Sequence, residues 1–426
     1  MQPQPMDTFQ TSVESMTRTH LEHWLAMGDA DPPRLAEYSP RQKRDNERNV
    51  QRLLEKGPDM LARWEGMSPD DRRHARRRIR AVVRQAVVHA DEPDIAPFMD
   101  ACEHIGESFA AQARAFDPAI SIEDVFQALR NQWVFNSIQH YLDQPATLTS
   151  ASFAYSMLYP YTDNALDGTT GGHDTRAAFI DWLSMRLQGI DAASRDSVCE
   201  PIGRLLAMIE TQFPRATFPE VHHSLLAIHR AQSQSVELHH PHAGDMEEDL
   251  LAITIAKGGT SVLADGFLVT GTLPQGAQEA MFSYGVLLQL IDDLEDLDED
   301  GSAGHSSPFI RAERRGTLEG ATNRLFRYAQ WCIERLHRGA PPEKNALCAL
   351  IGRSCRILTL EAVARHQRKY SPGYLRRLEA HMPFDAGFFG RLKETVVARA
   401  GGPDVWSIAL PQAGTAYRPR SHAPAS

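Results

Sequence analysis

YGVLLQLIDDLEDLDED, residues Tyr284–Asp300, contains two sets of residues at helical spacing. The polar set recurs every three or four positions and defines one face of a helix: Gln289, Asp292, Asp293, Asp296 and Asp300. The apolar set defines the opposite face: Val286, Leu287, Leu290, Ile291, Leu294 and Leu297. Carboxylates beside so apolar a face lie near the core, where they need partners. Hard oxygen ligands in this number suit Mg²⁺, so the stretch predicts a core helix with a magnesium-binding face.

A second acidic segment, DNALD at Asp163–Asp167, ends an earlier apolar stretch. Asp163 and Asp167 are four residues apart, so their carboxylates lie on one face of a helix, with Asn164 beside them as a neutral oxygen ligand. Like charges at this spacing repel each other. Water or a divalent cation must therefore offset the repulsion.

The rest of the chain shows a period near 3.6 and almost no strand-like alternation, which predicts an all-α fold. Residues 96–400 carry most of this periodicity and form the predicted catalytic α-bundle. Residues 1–95 are more charged and predict an N-terminal helical extension that is partly disordered. Residues 401–426 are rich in Gly, Pro, Ala and Ser, which predicts a disordered tail.

Charge and composition restrict the partners. The 426 residues carry 45 basic and 55 acidic side chains, a net charge of -10, which argues against a nucleic-acid partner. The basic run 72–80 is open to two interpretations, a solvated helix face or an anion site. Five scattered cysteines without a CxxC pair, and no secretory signal, predict a cytoplasmic protein. The longest apolar run, 261–271, is shorter than the roughly 20 residues of a transmembrane helix, so none is expected.

Together the two acidic segments resemble the aspartate-rich motifs of the class I isoprenoid synthases, which comprise trans-prenyltransferases and terpene cyclases. GVLLQLIDDLED at Gly285–Asp296 places its glycine, glutamine and DDxxD pattern as the prenyltransferase motif does. DNALD has an asparagine where a second aspartate is usual. KGGTSVLA at Lys257–Ala264 resembles the lysine-containing helix break that contacts diphosphate in this family. The resemblance covers residues 125–330.

This resemblance implies a helical bundle around a deep apolar cavity with both acidic motifs at its mouth. The implied metal ligands are three residues from each motif: Asp163, Asn164 and Asp167, and Asp292, Asp293 and Asp296. Four of these aspartates, all but Asp296, are the implied catalytic residues. Bound Mg²⁺ would hold the diphosphate of a linear prenyl diphosphate and make it a competent leaving group. A homodimer is expected by family analogy only.

Further residues are candidates for contact with the substrate. Lys257 and Gln289 are expected near the diphosphate, as are three arginines after a glycine- and serine-rich loop at 301–308: Arg311, Arg314 and Arg315. Tyr155 and Tyr159 precede Asp163 by eight and four residues on one helical face, where they either line the cavity or are ordinary core aromatics. Three polar residues on a later helix are further candidates for the cavity wall: His229, Gln232 and Ser233.

Two departures from the prenyltransferase pattern bear on the reaction. The chain lacks a Gly-Gly-Lys-Arg segment near its N-terminus and a paired arginine after the first motif, which favours cyclisation or elimination from one substrate over elongation. The second motif is also not the Asn/Ser/Glu triad of microbial cyclases. This combination resembles the large, or class IB, terpene synthases. The sequence therefore predicts a Mg²⁺-dependent terpene synthase, with a trans-prenyltransferase and a catalytically silent helical scaffold as alternatives.

Overall fold

The computed structural model describes residues 6–62, 96–167, 173–191, 198–237 and 247–400, with a few isolated positions between 63 and 95. These residues form sixteen α-helices and no β-strand, which confirms the predicted all-α fold. The helices are, in chain order, α1 Met6–Ala26, α2 Pro40–Ala62, α3 Ala96–Phe116, α4 Ile122–Tyr141, α5 Ser150–Asp167, α6 His173–Leu187, α7 Cys199–Gln212, α8 Pro219–Glu237, α9 Glu247–Thr270, α10 Gln275–Glu295, α11 Leu297–Ala303, α12 Pro308–Arg314, α13 Leu318–Gly339, α14 Asn345–Arg365, α15 Pro372–Glu379 and α16 Ala386–Ala400.

Some predicted features lie outside the described residues. They are most of the basic run 72–80, the C-terminal tail 401–426 and the side chain of Asp167. The predicted domain boundary at residue 95 stays a prediction. On its N-terminal side, α1 adds Phe9, Val13 and Trp24 to the buried core and packs against α8, α9 and α10.

The apolar helix α9 lies at the centre of the bundle and packs against α1, α4, α5, α8, α10 and α12. Its apolar residues are spread around the helix instead of along one face, as expected of a helix surrounded by others, and Ile255, Leu263 and Phe267 are completely buried. Its segment Glu248–Thr270 is long and apolar enough to cross a membrane, whereas the sequence predicts no such segment. Because 67% of its most apolar window is buried inside the protein, it has the character of a core helix.

Helices α9 and α10 cross at glycines. The predicted helix break at Lys257–Ala264 is wrong, because α9 continues through this segment without interruption. A Cβ atom on Gly258 would lie 2.7 Å from the carbonyl oxygen of Gly285, and one on Gly259 would collide with the ring of Phe282. Glycine lets the two backbones touch where any side chain would separate them. The glycines therefore serve close packing, and this crossing brings Lys257 beside the acidic face of α10.

The sequence predicts one continuous helix for the acidic segment after this crossing, whereas the structure contains two. α10 ends at Glu295 and α11 begins at Leu297, although Asp296 still donates its backbone N–H to the carbonyl of the fourth residue before it, at 2.9 Å. The loop predicted at 301–308 is also shorter, because α11 covers its first three residues and α12 begins at its last. Gly304 ends α11 with φ 79°, a left-handed conformation that glycine adopts without strain.

Candidate active site

Helix α4 contacts both acidic motifs. Gln127 donates a hydrogen bond from Nε2 to Oδ2 of Asp163, at 2.6 Å, and Arg130 pairs through Nη2 with Oδ1 of Asp292, at 3.3 Å. Gln127 and Arg130 are three residues apart, so their Cβ atoms are roughly 5–6 Å apart on one helical face. The two motifs, far apart in sequence, therefore meet at the same end of the bundle.

The first motif makes a further contact with α4. Nδ2 of Asn164 donates to Oδ1 of Asp124, at 3.2 Å, which adds a carboxylate that the sequence analysis did not identify. Asp124 precedes Gln127 by three residues and lies on the same face of α4. Asn164 is thus held by its amide nitrogen, while Asp167 is the last residue of α5.

Asp293 is the most buried aspartate of the second motif, with 8% of its surface exposed. Its Oδ1 accepts a hydrogen bond from Nε2 of Gln289, at 2.8 Å, whereas its Oδ2 is buried without a hydrogen-bond partner among the described residues. Burial raises the pKa of Asp293 to about 7, against the Gln289 hydrogen bond and the Lys257 charge, which lower it. This carboxylate is therefore poorly satisfied by the protein alone.

Ionisation is also unfavourable for two more carboxyl groups of this motif. Burial raises the pKa of Asp292, and the Arg130 guanidinium opposes that rise. Burial raises the pKa of Asp296 to about 9, and the negative charges of Asp292, Glu295 and Asp300 add to the effect. A bound cation would relieve both the desolvation and the repulsion.

Lys257 lies half-buried on α9, opposite these carboxylates. Its positive charge lowers the pKa of Asp292 and of Asp293, which places it near both. Among the described residues, none forms a hydrogen bond or ion pair with its ammonium group. Its ammonium group can therefore bind an anion at the mouth of the bundle.

The donor set at this mouth fits Mg²⁺ by its chemistry. Among the described side chains, no group of three or more His, Cys, Asp or Glu is arranged to hold a metal ion. Mg²⁺ does not require such a group, since it usually binds through one or two carboxylates together with substrate phosphates and water. Asp292, the unpartnered oxygen of Asp293 and Asp163 are hard oxygen donors of the required kind. The magnesium assignment stays a prediction.

The three candidate arginines lie on and just after α12, which packs against α9, α10 and α11. Arg311 donates from Nε to Oγ of Ser306, at 3.2 Å, while Arg314 and Arg315 are exposed. Their role in diphosphate binding stays a prediction.

Tyr155 and Tyr159 line an apolar cavity of about 80 Å³ enclosed by α5, α6, α7 and α8. The hydroxyl of Tyr155 donates to the carbonyl oxygen of Ser261, at 3.0 Å, and that of Tyr159 donates to the Tyr155 hydroxyl, at 3.4 Å. Burial raises the pKa of both phenols, so both are neutral. The other wall residues are mostly aliphatic or aromatic, including Leu158, Leu166, Phe179, Leu183, Leu206 and Leu225.

One buried polar cluster was not identified from the sequence. Asn131 on α4 donates from Nδ2 to Oδ1 of Asp265 and to Oγ of Ser156, both at 3.2 Å. Asp265 is fully buried on α9, its Oδ2 has no hydrogen-bond partner among the described residues, and burial raises its pKa well above the usual value. The signal was an aspartate within the longest apolar run, where a charged side chain is costly.

Comparisons with known proteins add little to this description. No protein-family model matches the chain, and no curated protein matches it significantly. Among solved structures, it is similar to a geranyltransferase from Legionella pneumophila, with 13% sequence identity, a TM-score of 0.34, and coverage of 74% of this chain and 98% of that one. A similarity of this size says nothing about activity. Function is therefore inferred from the site residues.

Proposed function

We propose that this protein is a Mg²⁺-dependent terpene synthase that ionises a linear prenyl diphosphate and forms its product from the resulting carbocation. The observation that carries the proposal is the convergence of the two acidic motifs on α4, through Gln127 and Arg130. An apolar cavity extends from the first of these motifs along α5. Cation ligands and an apolar pocket are the two parts that this chemistry requires.

Each part of the site has a role in this reaction. Asp163, Asp292 and Asp293 would hold Mg²⁺, which, when bound, neutralises the diphosphate and makes it a better leaving group. Lys257 and Arg130 bring positive charge to the same place and bind diphosphate oxygens. Asparagine and glutamine side chains around them orient the carboxylates.

The cavity wall protects the cation. Its apolar side chains exclude water, which would otherwise capture the cation early. The faces of aromatic rings attract a cation, and Tyr155 and Tyr159 present two of them, with ring centroids 5.5 Å apart in an edge-to-face arrangement. Both hydroxyls form hydrogen bonds and both phenols are neutral, so neither ring carries a charge into the cavity.

A trans-prenyltransferase is the second candidate, and the observation that favours it is the DDxxD pattern of Asp292–Asp296, which matches that family. The two reactions share ionisation and differ in what meets the cation. Purified protein with Mg²⁺ and C10 to C25 prenyl diphosphates, with and without isopentenyl diphosphate, separates them. A hydrocarbon or alcohol from one substrate supports the terpene synthase, and a longer diphosphate that requires isopentenyl diphosphate supports the prenyltransferase. If no diphosphate is released, the silent scaffold is the correct interpretation.

The carboxylates are tested by replacing Asp292 and Asp293 with asparagine, which keeps their shape and removes their charge. We expect diphosphate release to fall by roughly 100-fold or more, as when other preorganised electrostatic groups are removed. Asp298→Asn is the matched control, because Asp298 is in the same acidic run but pairs with Lys369, at 2.9 Å. Circular dichroism checks that each variant keeps its helices. Full activity in the double variant would contradict the metal assignment.

A further inference from the structure

The wall of the apolar cavity contains a small set of polar side chains on α8. His229, Gln232 and Ser233 occupy successive turns of one helical face and border the cavity. Opposite them, α5 contributes Thr162 and the two tyrosines described above. Some of these polar groups form hydrogen bonds within the protein and others have an atom without a partner. The atoms without a partner are the ones that remain able to react with a bound cation.

The hydroxyl groups are all engaged. Thr162 donates from Oγ1 to the carbonyl oxygen of Leu158, at 2.7 Å, and Ser233 donates from Oγ to that of His229, at 2.9 Å. The Tyr155 hydroxyl donates to the carbonyl oxygen of Ser261, and the Tyr159 hydroxyl donates to that of Tyr155. Among the described residues of the wall, this leaves the Gln232 amide and one ring nitrogen of His229 without a hydrogen-bond partner.

The hydrogen bond of His229 identifies the nitrogen that carries its lone pair. Nε2 lies 3.2 Å from the carbonyl oxygen of Ile180 on α6. A carbonyl oxygen only accepts, so Nε2 carries the hydrogen and Nδ1 carries the lone pair. Burial lowers the pKa of His229 to about 4, and Arg230 lowers it further while Asp181 opposes, so the ring is neutral near pH 7.

His229 also separates two cavities. A second cavity, of about 320 Å³, lies on the other side of α8, between α1, α6 and α9, and shares His229, Ser233 and Ile180 with the first. Its wall includes the polar side chains of Gln10, Asp181 and Arg230, in contrast to the apolar first cavity. A proton accepted on the apolar side therefore has a polar space through which to leave.

We propose that Nδ1 of His229 is the base that ends the reaction. It takes a proton from the carbon next to the cationic carbon, the electron pair of that C–H bond becomes the new carbon–carbon double bond, and the imidazolium then gives its proton to water in the second cavity. The product is an alkene with one proton fewer than the cation, and the diphosphate has already left. This inference rests on the proposed function, and it selects elimination over capture by water.

Replacement of His229 with glutamine tests this role. The glutamine amide nitrogen takes the place of Nε2 and keeps a hydrogen bond to Ile180, but it cannot accept the proton. We expect diphosphate release to stay within about threefold of the wild type, while the main alkene falls at least tenfold relative to alcohols and alkenes with a shifted double bond, measured by gas chromatography and mass spectrometry. His223→Gln is the matched control, because His223 is on the same helix but packs against Phe9.

The outcomes separate this inference from the proposed function. If the wild type releases diphosphate and the glutamine variant gives the same alkene in the same proportion, His229 is not the base, and the departing diphosphate is the remaining acceptor. If the wild type releases no diphosphate from any prenyl diphosphate, both proposals fail. His229→Ala with added imidazole provides a second readout, since a free base in the vacated space should restore the alkene, and no recovery in a folded variant would count against the role.

Discussion

Replacing Asp265 with asparagine should make the protein more stable, by an amount that grows with pH. The carboxyl is fully buried, only one of its oxygens accepts a hydrogen bond from a described residue, and burial raises its pKa well above the usual 3.8. In the unfolded chain the same group ionises near its usual pKa. The folded state therefore binds more protons than the unfolded state, and the stability that this proton supports is lost as pH rises above 3.8 toward the folded-state pKa.

The size of the effect follows from linkage. While Asp265 stays protonated in the fold and ionised in the unfolded chain, each pH unit lowers the free energy of unfolding by about 1.4 kcal/mol. Over two pH units in which the carboxyl stays protonated in the fold, the loss is about 2.7 kcal/mol. Asparagine has nearly the same shape, keeps an oxygen for Asn131 and does not titrate. The stability difference between Asp265→Asn and the wild type should therefore increase from pH 5 to pH 7, by up to about 2.7 kcal/mol.

Urea unfolding followed by circular dichroism at pH 5, 6 and 7 measures this difference. Asp293 and Asp296 also titrate in or near this range, but they are present in both proteins and cancel in the comparison. Asp298→Asn is the control. Burial raises the Asp298 pKa, but the hydrogen bond from Lys369 outweighs it and the pKa lies below its usual value, so this carboxyl is ionised in both the folded and the unfolded chain and its own titration adds no change in stability from pH 5 to 7. A difference for Asp265→Asn that is constant with pH would refute the assignment of a protonated, buried carboxyl.

Two further predictions concern packing and metal. Gly285→Ala should lower the free energy of unfolding by about 3 kcal/mol, because its methyl group would lie 2.9 Å from the carbonyl carbon of Gly258 and collide with the oxygen. Gly203→Ala on α7, where no atom lies within 4 Å, should instead raise it by about 0.5–1 kcal/mol, and equal effects in the two variants would contradict the backbone contact. Removal of divalent cations with a chelator should stop diphosphate release, and Mg²⁺ should restore it; turnover that persists in the chelator would exclude the metal role.

The helical fold and the interior position of the acidic stretch could be predicted because both depend on local spacing. Every residue of the predicted apolar face is buried, from Val286 to Leu297, with at most 2% of its surface exposed. A helix with this pattern can bury only one face, whatever its neighbours are. The end of α10 at Glu295 could not be predicted in the same way, because the apolar spacing continues through Leu297 without a proline or glycine.

The partners of the acidic residues could not be predicted, because they come from distant parts of the chain. Gln127 and Arg130 contact carboxylates 36 and 162 positions away, and on their own they look like ordinary polar residues of a surface helix. The glycines after Lys257 led to the wrong prediction of a helix break for a related reason. Glycine serves a helix break and a close helix crossing equally well, and only the position of Gly285 on the facing helix distinguishes the two.

The interior of the bundle differs from its mouth in charge. Burial holds Tyr155 and Asp265 neutral by raising the pKa of each, and it holds His229 neutral by lowering its pKa, whereas Asp292 at the mouth pairs with Arg130. No carboxylate is among the described residues that line the apolar cavity, so a cation that moves into it meets dipoles and lone pairs but no fixed negative charge that could trap it as an ion pair. Because such a cation must still lose a proton to end as an alkene, the base has to be a neutral group with a lone pair that faces the cavity. Among the described wall residues the imidazole of His229 fits this role best, because it borders the cavity, is kept neutral by burial and carries its lone pair on a nitrogen without a hydrogen-bond partner. Amide and hydroxyl oxygens are far weaker bases.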